Sequence, residues 1–398
     1  MKGDKRRQFV WSLLRFIVKL PFRLFLGFKA KVFKLQKNKP YIILSNHVAQ
    51  IDPIYLGLSF KRKINFIAYA GVVYGKYQKI LHRYFAPIAK AKGKSDLVTI
   101  RESLKVIKNN GIVCVFPSGD CTFSGVESYI DKSIVKFVRM MKADLLLYRL
   151  DGVYGKSPRW AHKRTKGKMI GQVKKVMTVE EVNSLNDEEL YDAIINVIGG
   201  NNLDYLDGNL YKGKHCAEYL ERALYVCPDC GSISTLKSDH KYFSCSKCGY
   251  KVEYLPNLHF KLLNGHNLYE TVYDWYNYCI NALKEKEANN EFSSDNVFFK
   301  DSFKVLEKQW LDKENDVYER KEQIVIEEGF ISLYRDCFII ENKLGNQKIK
   351  LFIKDSKVIF HGKSKLVIYN DDITYTIEGF ERFCGMKYIH FVNEVIKS

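Results

Sequence analysis

Long apolar runs and proline are scarce in this 398-residue sequence, and both shortages restrict what the protein can be. The longest uncharged runs, such as residues 64–75, have 12 residues, whereas a membrane-spanning helix needs about 20, so no transmembrane helix is expected. Eight prolines and 25 glycines, with no repeat at a fixed period, exclude collagen-like and low-complexity chains. Hydrophobic residues make up 46% of the chain, which excludes a largely disordered protein. The length predicts two or three domains.

Acidic residues are almost absent from the first 94 positions, which hold 21 Lys and Arg but only Asp4 and Asp52. This segment therefore carries +19, the net charge of the whole chain, and residues 95–398 are balanced. A basic front on a neutral body predicts an anionic partner at one end of the protein. The candidates are a membrane surface, a phosphorylated substrate and a nucleic acid.

Residues 1–34 are expected to form a basic, amphipathic segment that binds an anionic membrane surface. Within residues 8–28, basic side chains recur every four residues beside Phe, Leu and Trp, a pattern typical of a helix at a bilayer interface. We expect Pro21 to divide this segment into two short helices. The alternative is a terminal helix that packs on the protein with its lysines in solvent. Charges interrupt the apolar stretch and no small-residue cleavage site follows, so we expect a cytoplasmic protein, peripheral on the inner face of the cell membrane.

Short apolar runs alternate with helical patterns over residues 35–225, which predicts an α/β domain with a mostly parallel sheet and flanking helices. The expected strands are 41–44, 64–68, 112–116 and 145–150, and the expected helices are 53–60, 95–109, 134–142, 187–198 and 214–224. Ligands bind beyond the carboxyl ends of strands in such sheets. Two loops occupy that place, residues 45–52 (SNHVAQID) and 117–125 (PSGDCTFSG).

The C-terminal part of the chain has a different pattern. Residues 254–322 are predicted to be mainly helical. From residue 323 the hydrophobic period shifts towards two, which predicts short antiparallel strands closed by a helix at 380–396. Residues 323–398 are therefore expected to form a β-rich roll or barrel with a C-terminal helix, for which a PH-like arrangement is one candidate.

Residues 226–253 have the spacing of a four-cysteine zinc ribbon. Two C-x2-C pairs, each followed by glycine, are separated by 14 residues, and the predicted ligands are Cys227, Cys230, Cys245 and Cys248. Four thiolates leave no open position, so the Zn²⁺ is expected to be structural. Two disulfides are the alternative, which the lack of a secretion signal disfavours. His240 lies between the pairs and is expected to be a surface residue.

Zinc ribbons often bind nucleic acid, but two observations oppose that function here. Residues 226–253 carry a net charge of only +1. No arginine-rich stripe or recognition helix accompanies the four cysteines. Nucleic acid is therefore not an expected partner, and a nucleic-acid-binding zinc-ribbon protein is the least favoured interpretation.

Asn46-His47 and Asp52 form an N-H-x4-D arrangement directly after the first expected strand. A histidine can take a proton from a hydroxyl that attacks a carbonyl carbon, and a carboxylate on the other ring nitrogen orients the ring and stabilises the imidazolium. A structural interpretation of Asp52 is also available, because Asp followed by Pro53 is typical of a helix N-cap. The two interpretations are compatible.

Together with residues 116–122 (FPSGDCT), this block resembles the glycerolipid acyltransferase family, which includes the 1-acylglycerol-3-phosphate acyltransferases. That family pairs N-H-x4-D with a later F-P-E-G-x-R-S/T block. Residues 86–90 (APIAK) resemble the family's strand that ends in a basic residue. Residues 152–160 (GVYGKSPRW) and 211–225 resemble a bacterial branch that carries a zinc ribbon. The resemblance covers about residues 10–250.

The resemblance implies an enzyme of phospholipid synthesis. It would move a fatty acyl group from acyl-CoA or acyl carrier protein to a lysophospholipid such as 1-acylglycerol 3-phosphate. His47 and Asp52 would be catalytic, as general base and orienting carboxylate, and Lys90 would face the acceptor phosphate. The substrate-binding residues that it implies are Asn46, Lys90, Ser118, Gly119, Asp120 and Thr122.

The second block departs from the family pattern at two positions. Ser118 stands where the family has Glu, and Cys121 stands where it has Arg. Cysteine cannot replace the bidentate guanidinium, so either lysines at 90–94 compensate or the preferred acceptor differs. A catalytically decayed, lipid-surface-binding protein on the same fold is the alternative function. No G-x-S-x-G elbow is present, so Ser118 and Cys121 are not expected to be covalent nucleophiles.

Overall fold

The computed structural model describes residues 2–73, 77–90, 97–206, 208–289, 291, 297–314, 317–370 and 373–396. The chain divides into two compact units. The first consists of Met1–Arg159 and Thr165–Lys212, and the second consists of Trp160–Arg164 and Gly213–Ser398.

The first unit is built on a seven-stranded sheet that is parallel except for one pair. Its strands are β1 (Phe28–Ala30), β2 (Tyr41–Ser45), β3 (Asn65–Tyr69), β4 (Ile88–Lys90), β5 (Ile112–Val115), β6 (Asp144–Asp151) and β7 (Met169–Met177). Their order is β1-β7-β6-β2-β5-β3-β4, and only β6 and β7 pair antiparallel. The central strands β2, β5 and β6 are buried throughout, and their mainly apolar sequences suit a sheet that is covered on both faces. The expected α/β fold with a mostly parallel sheet is confirmed.

Nine helices of the described residues flank this sheet. They are α1 (Lys2–Leu26), α2 (Asp52–Gly57), α3 (Ala70–Val73), α4 (Gln78–Tyr84), α5 (Leu97–Lys108), α6 (Ser133–Met141), α7 (Val153–Lys156), α8 (Val179–Ser184) and α9 (Asp187–Ile198). Helices α8 and α9 begin with complete capping boxes, at Thr178 with Glu181 and at Asn186 with Glu189. The apolar sides of α6 and α9 form one core with β2, β5 and β6.

Helix α1 is continuous, so the expected division at Pro21 is wrong. Its packing on the sheet domain fixes one side: the Trp11 indole N–H donates to the Phe60 carbonyl at 3.1 Å, and Arg15 donates to the Leu58 carbonyl at 2.9 Å. These contacts offset the one backbone hydrogen bond that a proline removes. The opposite side exposes large apolar residues, namely Phe9, Leu13, Phe16, Ile17, Leu20, Leu24 and Phe25. Among the described residues, no helix has the length and apolarity to cross a bilayer.

The second unit begins with a four-stranded antiparallel sheet. Its strands are β8 (Leu236–Asp239), β9 (Tyr242–Cys245), β10 (Lys251–Tyr254) and β11 (Phe260–Asn264), and helix α10 (Val272–Ala288) follows. The helix expected at 214–224 is replaced by a single 3-10 turn at Leu220–Arg222. The physical reason is that this backbone bonds to the ribbon: Ala217 N–H donates to the His240 carbonyl at 2.9 Å, and Tyr219 N–H to the Ser238 hydroxyl at 2.7 Å.

A seven-stranded antiparallel sheet completes the second unit. Its strands are β12 (Phe299–Glu314), β13 (Val317–Leu333), β14 (Cys337–Asn342), β15 (Lys348–Phe352), β16 (Ser356–His361), β17 (Lys365–Asn370) and β18 (Ile373–Gly379). They lie in the order β15-β14-β13-β12-β18-β17-β16. Helix α11 (Met386–His390) continues into a π-helical turn at Phe391–Ile396. The antiparallel C-terminal sheet is as expected, and the PH-like arrangement stays a prediction.

Residues 254–322 differ from the mainly helical expectation, because α10 covers only Val272–Ala288, while 260–264 form β11, 299–314 form β12 and 317–322 begin β13. The longest of these unexpected elements that lies wholly within the segment is β12. This strand pairs with β13 on one side and β18 on the other. Its register shifts between Leu306 and Glu307, so the alternation of apolar and polar residues is broken within the strand. The interrupted period explains why the sequence pattern did not identify it.

Candidate active site

Two loops meet at the carboxyl edge of the parallel sheet. Strands β2 and β5 are neighbours, with Leu44 opposite Val115, so the loops that follow them leave the sheet side by side. The backbone N–H of Thr122 in the second loop donates to the carbonyl of His47 in the first at 3.2 Å. The two loops identified in the sequence therefore form one site.

His47 and Asp52 are paired as expected. Nδ1 of His47 lies 3.0 Å from Oδ2 of Asp52, and Asp52 is fully buried. The same oxygen accepts hydrogen bonds from the backbone N–H groups of Val48, at 2.6 Å, and Ala49, at 2.8 Å. With Nδ1–H directed at the carboxylate, the neutral ring carries its lone pair on Nε2.

The interpretation of Asp52 as an N-cap is wrong. Ile51 is the N-cap of α2, and Asp52 is already the first helical residue. Its carboxylate turns back towards the preceding loop, where it receives the backbone hydrogen bonds of Val48 and Ala49. The side chain therefore supports the histidine loop and not the helix end.

The imidazole of His47 is enclosed but reachable, with 18% of its side chain exposed. Phe116 stacks against it with ring centroids 4.4 Å apart. The Cys121 sulfur lies 3.5 Å from Nε2. Burial lowers the pKa of His47, but Cys121 and Asp52 more than offset this effect and hold that pKa well above its usual value of 6.5. A proton that the ring carries is therefore held firmly.

Glu127 belongs to the site although the sequence pattern did not identify it. Its Oε1 accepts the Ser118 hydroxyl at 2.6 Å and the backbone N–H of His47 at 2.8 Å. Burial raises the pKa of Glu127 from 4.5 to about 7, against the lowering effect of these bonds. Within the described residues, Oε2 is buried without a hydrogen-bond partner. Glu127 lies nine residues after Ser118, outside the block that carries the family resemblance.

The second loop is held by its own polar side chains. The Thr122 hydroxyl donates to the Val126 carbonyl at 2.6 Å. The Asp120 carboxylate accepts the Cys121 N–H at 2.9 Å. Gly119 turns the chain at φ +73, with no atom within 4 Å of the place of a Cβ among the described residues. These groups shape the loop, and their contact with substrate stays a prediction.

Arg159, from the 152–160 stretch, fixes the same loop from outside. Its guanidinium lies 3.0 Å from the Asp120 carboxylate and donates to the Cys121 carbonyl at 2.7 Å. It also lies over the ring of Phe123, 4.5 Å from the centroid. The arginine missing at position 121 is thus matched by a buried guanidinium against the same loop, which sequence reasoning missed because it comes from a distant segment.

Asn46 is a structural support in this geometry. It is fully buried, its amide donates to the Leu150 carbonyl at 3.0 Å, and its oxygen accepts the Leu150 N–H at 2.8 Å. The amide also lies 3.2 Å from Oδ1 of Asn202. Asn46 therefore ties the histidine loop to β6, and a direct substrate contact stays a prediction.

Lys90 is the exposed last residue of β4 and lies opposite Tyr69 of β3. Its strand ends at the same edge of the sheet as β2, with β5 and β3 between them. Three strand spacings place β4 about 14 Å from β2. Lys90 is therefore on the correct edge but not beside His47. Lys92 and Lys94 lie outside the described residues.

The four predicted cysteine ligands converge in the second unit. Their sulfur atoms all lie within 4.8 Å of one another. All four are free thiols, and the pairs Cys227–Cys248 and Cys230–Cys245 are 3.6 and 3.8 Å apart. The donor set and its compactness fit a tetrahedral thiolate site.

A known protein family matches part of the first unit. Residues 31–148 match the family model described as Acyltransferase, which confirms the resemblance to the glycerolipid acyltransferases for this part of the chain. It contains an acyltransferase domain, and His47, Asp52 and the second loop lie inside it.

Two solved structures are similar to the chain at low sequence identity, and no curated protein matches it. The chain is similar to the 1-acyl-sn-glycerophosphate (LPA) acyltransferase PlsC from Thermotoga maritima, with 20% identity, a TM-score of 0.41, and coverage of 49% of this chain and 79% of that one. It is also similar to the C-terminal domain of an unknown protein from Leishmania infantum, with 8% identity, a TM-score of 0.17, and coverage of 28% and 94%.

Proposed function

We propose that the protein transfers a fatty acyl group from an acyl thioester, acyl-CoA or acyl carrier protein, to a hydroxyl of a lysophospholipid such as 1-acylglycerol 3-phosphate, in phospholipid synthesis. One observation carries this proposal. The 3.0 Å pair of His47 and Asp52 lies at the carboxyl end of β2, inside the acyltransferase domain.

His47 is the general base of the proposed reaction. Its Nε2 takes the proton of the acceptor hydroxyl as the hydroxyl oxygen attacks the thioester carbonyl. Asp52 keeps the ring in the required tautomer and stabilises the imidazolium that forms. The imidazolium then protonates the departing thiolate, so His47 both removes the proton from the acceptor and delivers it to the leaving group.

The acceptor lies along the carboxyl edge of the sheet in this proposal. Lys90 at the end of β4 faces its phosphate, and the loop with Ser118, Gly119 and Asp120 surrounds its glycerol end. In 1-acylglycerol 3-phosphate the reacting hydroxyl is on the carbon next to the one that carries the phosphate ester, so the Lys90 side chain has to extend from β4 towards β2 across much of the separation of about 14 Å.

Helix α1 attaches the protein to the anionic inner face of the cell membrane. Its exposed side carries apolar residues that include Phe16, 83% exposed, and Phe25, 80% exposed. Basic residues lie on the same helix and in the segment after it. Apolar burial together with attraction to anionic lipids is the usual basis of interfacial binding.

The four-cysteine cluster binds one structural Zn²⁺. Gly231 and Gly249, each directly after a cysteine pair, have positive φ of 64° and 78°, the conformation that a tight metal-binding turn needs. The zinc stabilises the short strands β8–β10 and takes no part in acyl transfer.

An acyl-transfer assay tests the proposal. Purified protein is given palmitoyl-CoA and 1-acylglycerol 3-phosphate, and the His47→Ala variant is compared with His162→Ala, an exposed histidine of the second unit. We expect His47→Ala to lower the rate by about 10²–10⁴-fold and His162→Ala to leave it unchanged. Near-native turnover of His47→Ala would overturn the mechanism. A folded wild-type protein without activity towards any acceptor would favour the decayed, lipid-surface-binding alternative.

A further inference from the structure

Cys121 lies against the catalytic histidine. Its sulfur is 3.5 Å from Nε2 and 3.7 Å from Nδ1 of His47, while Nδ1 is bonded to Asp52 at 3.0 Å. A thiol, an imidazole and a carboxylate connected in this order have the composition of a nucleophile, its base and the group that orients the base. No local sequence pattern indicates this contact, because 74 residues separate Cys121 from His47.

The surroundings hold both partners in place. Phe116 stacks on the imidazole, and the Thr122 N–H holds the His47 carbonyl at 3.2 Å. Arg159 holds the Cys121 carbonyl at 2.7 Å. The sulfur is nearly equidistant from the two ring nitrogens, so it lies beside the ring and not along the Nε2 axis. Catalytic hydrogen bonds are often poorly aligned without substrate and tighten when substrate binds.

We infer that Cys121 is a covalent nucleophile and that acyl transfer passes through a thioester on its sulfur. This inference rests on the proposed acyltransferase function and deepens it, because it names the route that the acyl group takes. The acceptor attacks a thioester on Cys121 in place of the donor thioester, and Cys121, which no sequence motif marked as a nucleophile, takes that role. Cys121, which stands at the position of the family's arginine, is then the residue that carries the acyl group between donor and acceptor.

The two half-reactions balance. In the first, His47 takes the proton of the Cys121 thiol, the thiolate attacks the donor carbonyl, the bond between the acyl carbon and the donor sulfur breaks, and the donor leaves as a thiol with that proton. In the second, His47 takes the proton of the acceptor hydroxyl, the oxygen attacks the Cys121 thioester, and the cysteine is released and protonated again. One thioester is exchanged for another and then for an ester, without an oxidant or a further reactant.

Electrostatics and burial support this route. Burial lowers the pKa of His47, but Cys121 and Asp52 more than offset it and hold that pKa well above its usual value, so a proton that the ring takes from its partner is held there. Cys121 is only 5% exposed. A site that excludes water protects a thioester from hydrolysis before the acceptor arrives.

Mass spectrometry of the acylated protein tests the inference. Wild-type protein is mixed with palmitoyl-CoA without acceptor, quenched in acid and mapped by peptide. We expect a palmitoyl thioester on Cys121 that hydroxylamine removes and that 1-acylglycerol 3-phosphate discharges with formation of product. Peptide mapping separates this adduct from chemical acylation of the exposed thiols of Cys230 and Cys248.

Three variants complete the experiment. Cys121→Ala should lose the adduct and lower turnover by about 10²-fold or more, with an unchanged thermal midpoint. Cys216→Ala, a buried cysteine of the second unit, should keep full turnover. If Cys121→Ala does not fold, Cys121→Ser replaces it. The serine should accumulate an acyl ester that resists neutral hydroxylamine, because an alkoxide leaves less readily than a thiolate.

The possible results separate the inference from the proposed function. Full turnover of Cys121→Ala or Cys121→Ser, or product formed in a single turnover without an adduct on Cys121, would overturn the covalent route and leave the acyltransferase function standing. An adduct on Cys121 that no lysophospholipid discharges would support the nucleophile and contradict the proposed acceptor. Neither adduct nor product, with palmitoyl-CoA or palmitoyl-acyl carrier protein, would overturn both.

Discussion

The carboxylate of Glu127 accepts a hydrogen bond from the backbone N–H of His47 at 2.8 Å. The same oxygen accepts the Ser118 hydroxyl at 2.6 Å, so the carboxylate joins the histidine loop to the loop in which the family carries glutamate. Ser118 stands at the position of that glutamate, and its hydroxyl is hydrogen-bonded to Glu127, nine residues further along the chain. Glu127 therefore places a carboxylate beside the position at which the family carries one.

Glu127→Gln should remove a pH-dependent loss of stability. Burial raises the pKa of Glu127 from 4.5 to about 7, so the folded protein keeps a proton that the unfolded chain releases between these values. The free energy of unfolding therefore falls as the pH rises through this window, by roughly 3 kcal/mol for a shift of this size. Glutamine cannot ionise and should lack this fall. Urea unfolding at pH 5 and pH 8 measures the difference.

The matched control for that experiment is Glu102→Gln on α5, whose side chain is about half exposed. It should keep the pH dependence of the wild-type protein. If Glu127→Gln also loses as much stability as the wild type between pH 5 and pH 8, the buried carboxyl is not the group that titrates.

Asp52→Asn should lower the activity and shift its pH dependence. Asp52 helps to raise the pKa of His47, and the base must be neutral to take a proton from the acceptor. Removal of the charge should therefore move the acidic limb of the pH–rate profile to lower pH, while the maximal rate falls by about 10²–10⁴-fold. NMR titration of the His47 imidazole gives the same shift independently. An unchanged midpoint in both measurements would show that Asp52 does not set the pKa of His47.

Local patterns predicted the parts of this site that depend on neighbouring residues. The position after a strand and the five-residue spacing predicted that His47 and Asp52 lie together, and the two C-x2-C pairs predicted that the four cysteines converge. Glu127, Arg159 and the closeness of Cys121 depend instead on how distant segments meet. Arg159, for example, contacts the Cys121 carbonyl across 38 residues of chain, and no periodicity in one sequence encodes such a meeting.

Lys90→Ala should discriminate between acceptors. If Lys90 supplies the charge that the absent family arginine would provide, the variant should lose at least about tenfold with 1-acylglycerol 3-phosphate, which corresponds to one charge-assisted contact. It should lose little with a neutral monoacylglycerol. Lys108→Ala at the end of α5 is the matched control, since this lysine is also exposed. Equal losses with both acceptors would instead indicate that the preferred acceptor is not a phosphate monoester.

Cys230→Ser should abolish the binding of zinc. The wild-type protein, purified without chelator, should contain one zinc ion per chain, and the variant should contain none, because the tetrahedral site loses a thiolate ligand. Elemental analysis measures the content. Removal of the metal should also unfold residues 226–253 before the first unit, since small metal modules take much of their folding free energy from the ion.

His240→Ala is the control for the zinc experiment. His215, Glu218 and His240 form a second group of side chains close enough to hold a metal ion. If the cysteines are the site, His240→Ala should keep one zinc ion per chain. Loss of zinc from His240→Ala together with its retention in Cys230→Ser would assign the metal to the histidine group.

A double substitution on the exposed side of α1, Phe16→Asp with Phe25→Asp, should weaken binding to vesicles that contain anionic phosphatidylglycerol. Each phenylalanine that enters the bilayer interface contributes up to about 1.5–3 kcal/mol, so we expect a loss of at least about tenfold in a sedimentation assay. Wild-type binding should also weaken as salt is added, because the basic residues act by long-range attraction. Point substitutions are preferable to deletion of residues 1–34, because the deletion also removes the contacts of Trp11 and Arg15 with the sheet domain.

Tyr129→Asp is the matched control, because Tyr129 is a 74% exposed aromatic residue of the first unit outside α1. It should bind vesicles as the wild type does. Binding to double-stranded DNA, measured at the same salt concentrations, separates attraction to lipid from attraction to any polyanion. The phenylalanine substitutions should reduce binding to vesicles more than binding to DNA, since the two added carboxylates repel both polyanions but only the vesicle offers an apolar interface for the rings. If the double variant binds vesicles as strongly as the wild type, α1 is not the attachment site and the strands and helix of residues 323–398 become the next candidate.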